Sequence, residues 1–208
     1  MIRAVDILVG YGGTSPSPAT SVWFPVAGPI SFSYDDGQCV MLRGRNGSGK
    51  TTLMKTLAGF IRPLSGSFET GGEALMVPTR IPKVKGFTVE EFIRTGMLVS
   101  SGYFKRLAPG AEKVLSDAIN LLELNDLAGK EISRISDGEF QKACVAAALT
   151  RKANVLMLDE PTAFLDVENR VMVLQTLQRL ARETGVTVIF STHDIHDGAL
   201  YSDAVLAL

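Results

Sequence analysis

Apolar residues in this chain fall into short continuous runs, separated by stretches in which they recur at helical spacing. The runs Cys39–Leu42, Ala74–Val77, Val155–Leu158, Val186–Phe190 and Ala204–Leu208 predict buried parallel strands. Such strands carry helices on both faces, so their sequences are apolar throughout instead of alternating. Leu53, Met54, Leu57 and Ala58 share one helical face, and Gly59 stands where that helix would end. Val114, Leu115, Ala118, Leu121 and Leu122 repeat the spacing, as do Val171, Leu174, Leu177 and Ala181. Ala4–Val9 and Ile30–Tyr34 suit a small antiparallel sheet, and the Ser- and Pro-rich Thr14–Ala19 reads as a flexible surface loop.

This pattern predicts an α/β fold in one domain spanning residues 1–208. Its α/β core comprises residues 1–86 and 144–208, interrupted by a helical subdomain over 87–143, where no strand pattern stands out. A hydrophobic fraction of 46% and a charged fraction of 21% are those of a folded globular chain. With a net charge of −1 and no basic run, no nucleic-acid partner is expected. Cys39 and Cys144 form no paired motif and read as buried reduced thiols. The N-terminus lacks the pattern of a signal peptide, and no apolar stretch approaches the ~20 residues of a membrane span. The expected location is cytoplasmic.

Gly44-Arg45-Asn46-Gly47-Ser48-Gly49-Lys50-Thr51 fits GxxxxGK[ST] between a strand and a helix. Glycines let successive N–H groups turn toward phosphate oxygens, and the helix N-terminus adds partial positive charge. Lys50 is expected to reach the β- and γ-phosphates and Thr51 to bind Mg²⁺; Thr52, next on the helix, is assigned to the nucleotide as well. The alternative is a glycine turn before a helix with an exposed lysine. Asp159 and Glu160 follow the apolar run Val155–Leu158, at the edge of a parallel sheet where ligands bind. Asp159 is then the Mg²⁺ carboxylate, and Glu160 the base that orients and deprotonates the attacking water. Alone, such a pair is more often a solvated turn. His193, in Ser191-Thr192-His193-Asp194, is placed to contact the γ-phosphate and the water, although a lone histidine at a strand end is ordinarily a surface residue. His196 reads as surface.

Together these residues resemble the ABC ATPase family over nearly the whole chain. Ile135-Ser136-Asp137-Gly138-Glu139-Phe140-Gln141 is similar to that family's signature motif, placed shortly before the acidic strand. Phe164-Leu165-Asp166 resembles its D-loop, and Tyr11 sits where an aromatic residue stacks on adenine. The resemblance implies a P-loop NTPase (RecA-like) core with a mostly parallel sheet, a small antiparallel β region and the helical subdomain. It implies ATP with Mg²⁺, and two copies meeting head to tail. Each ATP would lie between one copy's phosphate loop and the other's Ser136 and Gly138, with Asp166 coupling the two sites.

Two departures stand out. In the signature, Asp137 replaces a glycine and Glu139 a glutamine. Ser136 and Glu139 fit the capping box S-x-x-E, and Asp137 is expected to point away from the nucleotide. Where the family has the Q-loop glutamine, this chain has Thr79, whose shorter hydroxyl is a candidate ligand for Mg²⁺ or its water. The chain ends at Leu208, on its last apolar run, where the family commonly continues.

The strings ISDGEFQK, LDEPTAFLDVENR and TVEEFIRTG are similar to ATPase subunits of importers for iron complexes, haem or cobalamin. That resemblance implies a transmembrane permease partner, docked through the helical lobe and the segment Thr79–Thr88. It also implies a substrate-binding protein in the same system, and a peripheral position on the inner face of the membrane. A soluble ABC ATPase of assembly type, as in iron–sulfur cluster biogenesis, is the alternative. A coiled-coil DNA-repair ATPase is disfavoured by the short helical lobe and the absence of heptads.

Overall fold

In a computed structural model, residues 1–12, 23–98, 110–163 and 165–208 are described. Thr14–Ala19 and Phe164 lie outside the described residues. Five strands form a wholly parallel sheet: β3 (Cys39–Arg43), β5 (Ala74–Val77), β6 (Val155–Leu158), β7 (Thr187–Ser191) and β8 (Ala204–Ala207). Their spatial order is β5-β6-β7-β3-β8, so β7 lies between β6 and β3.

The apolar character of the central strands β3, β6 and β7 follows from burial on both faces, whereas edge strand β8 leaves Val205 exposed. Cys39, Met41, Leu156, Leu158, Val188 and Phe190 enter one core. The alternating Val40, Leu42, Val155, Met157 and Ile189 enter the other. Cys39 and Cys144 are buried free thiols, as the sequence suggests, and desolvation pushes both up to about 12.

A second, antiparallel sheet has the order β2-β1-β4, built from β1 (Ile2–Gly12), β2 (Trp23–Tyr34) and β4 (Ser65–Thr70). The sequence pattern missed β4, because SGSFET carries a single apolar residue. β7 begins one residue later than expected and ends on Ser191, which matters for the site.

Six helices complete the described chain: α1 (Lys50–Leu57), α2 (Val89–Thr95), α3 (Ala111–Leu121), α4 (Asp137–Leu149), α5 (Val167–Thr184) and α6 (Ile195–Leu200). Helix α1 presses Leu53, Met54 and Leu57 into the core it shares with β1, while α4 and α5 cover the opposite sheet face and α2 and α3 pack on α4. Gly59, in the left-handed conformation at φ 78°, follows the end of α1 as its position suggested. The short α6 was not foreseen.

Candidate active site

The phosphate loop leaves β3 at Arg43 and enters α1 at Lys50. Gly49 is the N-cap at φ 98°, and a Cβ there would lie 2.8 Å from the Ala27 side chain, so only glycine suits both conformation and space. Lys50 is buried, and its ammonium donates to the carbonyls of Gly44 at 2.8 Å and Arg45 at 3.2 Å. The cation is therefore held inside the loop. The Ser48 hydroxyl is buried without a hydrogen-bond partner among the described residues. An orphaned donor inside a ring of backbone N–H groups fits a phosphate oxygen.

Behind the loop, the first turn of α1 meets the ends of β6 and β7. The Thr51 hydroxyl donates to Asp159 Oδ2 at 2.7 Å, and the Ser191 hydroxyl donates to Asp159 Oδ1 at 2.9 Å. Ser191 Oγ in turn accepts the Glu160 N–H at 2.8 Å. Asp159 and Ser191 are buried, so each of these polar groups depends on the others for its hydrogen bonds. Glu160 has a left-handed backbone at φ 52°, a conformation that costs about 1 kcal/mol or more in a residue other than glycine. The bond to Ser191 holds it there and aims the carboxylate at His193, whose Nε2 lies 2.6 Å from Glu160 Oε1.

Lys50, Thr51, Glu160 and His193 line one cleft of about 490 Å³, bounded also by Val26, Asn46, Gly47, Gly49 and Thr52. Tyr11 approaches from β1, its hydroxyl 3.3 Å from the Thr52 hydroxyl, leaving about half of the residue exposed beside α1. Gly44 and Arg45, the first residues of the loop, flank His193 and Thr192 on the other side. The hard oxygens of Thr51 and Asp159 suit Mg²⁺. Thr79 is half-buried in the segment after β5, beside the end of β6, where Asp159 N–H donates to Val77 O at 3.0 Å. It does not line the cleft.

Ser136, Gly138 and Asp166 also stand apart from this cleft. Ser136 caps α4 in the expected box: its hydroxyl accepts the Glu139 N–H at 3.2 Å, and Glu139 Oε2 accepts the Ser136 N–H at 2.7 Å. That backbone donor holds the Glu139 carboxyl below the usual range. Asp137 turns outward and pairs with Lys83 at 2.7 Å. Asp166 caps α5 by accepting the Asn169 N–H at 2.8 Å. The Asn169 side chain also bonds Asp166 and packs against Gly138, where a Cβ would meet Asn169 Oδ1 at 3.0 Å.

Sequence reasoning missed Ser191, Arg170 and Lys83. Arg170 of α5 pairs with Asp194 at 2.5 Å and lies 3.9 Å from Asp197, gripping the turn that carries His193. No motif announces these partners, because each acts across elements distant in sequence.

Residues 27–163 match the ABC transporter family. A petrobactin import ATP-binding protein of Bacillus anthracis is 32% identical, the match covering 83% of this chain and 68% of the relative. A high-affinity zinc uptake ATP-binding protein of Bacillus subtilis is 30% identical, over 100% of this chain and 90% of the relative. Among solved structures, an inward-facing ABC transporter described as metal-chelate type superposes with a TM-score of 0.84 at 26% identity, covering all of this chain and 79% of that one.

Proposed function

This chain belongs to the ABC transporter ATP-binding family, and from that membership we propose that two copies hydrolyse ATP between them to power an importer of iron complexes, of the siderophore, haem or cobalamin class. The observation that carries the ATPase mechanism is the hydrogen-bonded chain from Thr51 through Asp159 and Ser191 to Glu160 and His193.

On this reading the ammonium of Lys50 exchanges its two loop carbonyls for the β- and γ-phosphates, and Ser48 donates to a phosphate oxygen. Glu160 accepts a proton from the attacking water as its oxygen bonds to the γ-phosphorus and the bond to ADP breaks. His193, against the same carboxylate, fixes its orientation and contacts the γ-phosphate. Thr51 and Asp159 would hold Mg²⁺, and Thr79, which stands outside the cleft, could reach the ion only if its segment moves; the ion would supply positive charge beside the transferred phosphoryl group. Tyr11 stacks on adenine. The partner subunit's Ser136 and Gly138 close over the γ-phosphate, and Asp166 couples the two sites through Asn169.

The cargo class rests on the relatives, one of which is a petrobactin import protein. Among the described residues no helix is long and apolar enough to cross a membrane, and the transport reading takes a permease partner from the relatives. The helical subdomain over 87–143 and the segment Thr79–Thr88 are the proposed docking region, with a substrate-binding protein in the same system. The chain is then peripheral on the inner face of the membrane.

The test is Glu160→Gln. With MgATP it is expected to bind nucleotide, lose at least 100-fold in turnover, and elute as a dimer on a sizing column. Turnover at the parent rate removes the base role; a monomer in saturating ATP removes the shared site. Detergent co-purification with a multi-span protein, and stimulation of ATPase activity by ferric siderophore in the reconstituted system, test the importer reading.

A further inference from the structure

The segment after β5, which carries one departure from the family pattern, reaches the signature that carries the other. Lys83 lies in the segment between β5 and α2, four residues past Thr79. Its ammonium pairs with Asp137 Oδ1 at 2.7 Å, donates to Ile135 O at 2.7 Å, and stands 5.5 Å over the Phe140 ring. Three contacts from one cation clasp both sides of Ser136. The Lys83 side chain is 25% exposed and Asp137 71%, so the lysine is the anchored partner and the aspartate the one that reaches to it.

We propose that Lys83 is a positioning residue for the shared ATP site, neutralising Asp137 at the start of α4 so that an acidic signature can receive the partner's γ-phosphate. This rests on the shared-site reading above. A helix start attracts anions through its exposed N–H groups and partial positive charge. Two carboxylates in the first turn oppose that attraction. Glu139 is occupied, its oxygen bound to the Ser136 N–H, where it fixes the serine. Asp137 makes no such cap, and without Lys83 its negative charge at the start of α4 would lack its ion-pair partner as the triphosphate approaches.

In the open monomer this pair, with Asp137 largely in solvent, contributes little to stability. Closure of the dimer excludes water around the phosphates, and there an uncompensated charge acts more strongly. Because Lys83 belongs to the proposed permease-docking segment, displacement of that segment also removes a positive charge from the signature. Docking and ATP capture are thereby linked by one side chain.

The experiment follows ATP-dependent dimerisation on a sizing column, in the Glu160→Gln background. Lys83→Met is expected to raise the ATP concentration for half-dimerisation about tenfold, and Lys83→Arg to stay near the parent. Asp137→Asn is expected to dimerise at least as well as the parent. The double variant Lys83→Met with Asp137→Asn is expected to return to the parent level, which lost packing at Lys83 would not allow. Parent-like dimerisation of Lys83→Met, or a double variant as weak as Lys83→Met, overturns the proposal. Should Lys83→Met fail to fold, Asp137→Asn decides: weaker dimerisation overturns it. If the Glu160→Gln parent itself stays monomeric, the shared site falls first and this inference with it.

Discussion

Ser191 donates its hydroxyl to Asp159 Oδ1 at 2.9 Å, tying the last residue of β7 to the carboxylate that follows β6. The same oxygen accepts the Glu160 N–H, so one buried hydroxyl orients the proposed metal carboxylate and holds the backbone of the proposed base. Ser191→Ala leaves a carboxylate oxygen and a backbone N–H without their partner, a loss of about 1–3 kcal/mol. The expected result is a 10- to 100-fold fall in kcat with a smaller change in KM for ATP, and a lower Tm. Steady-state kinetics check this; an unchanged kcat would remove Ser191 from the site.

Arg170 holds the turn after His193 from the side of α5. Asp194, its partner, also caps α6, accepting the Asp197 N–H at 3.2 Å. That backbone donor and Arg170 hold the Asp194 carboxyl below the usual range. The stabilisation is therefore fully present above the ordinary aspartate value of about 3.9 and is lost as pH falls through the lower folded value. Arg170→Met is expected to lower kcat about three- to tenfold while ATP binding stays near the parent, because His193 loses its fixed approach to Glu160. Equal losses in nucleotide affinity and kcat would point to a general structural defect instead.

Lys50→Ala removes the only ammonium in the phosphate loop. Arg45, the loop's other cation, has an exposed side chain, whereas Lys50 is buried in the cleft that would hold the phosphates. ATP affinity is expected to drop at least 100-fold by titration calorimetry, and hydrolysis to vanish. Turnover within tenfold of the parent would place the nucleotide elsewhere.

Much of the candidate site was legible in the chain because its chemistry is local. The order strand, glycine loop, Lys50, Thr51 and helix is a contiguous requirement for wrapping a phosphate, and the capping box of Ser136 and Glu139 closes within one helical turn. The strands β5 and β6 also begin and end where their apolar runs do, because burial on both faces demands that composition. Edge strand β4, exposed along much of its length, left no such mark.

What the sequence alone determined, then, was the set of candidate reacting groups and most of the elements that bear them. Which strand lies beside which was decided by tertiary structure. Parallel strands joined by crossovers carry no local record of their neighbours, and only packing places β7 between β3 and β6. That order sets Ser191 beside Asp159 and Glu160, within reach of the Thr51 network. The ammonium of Lys83 reaches Asp137 for the same reason: 54 residues separate them along the chain, and the fold brings them to 2.7 Å.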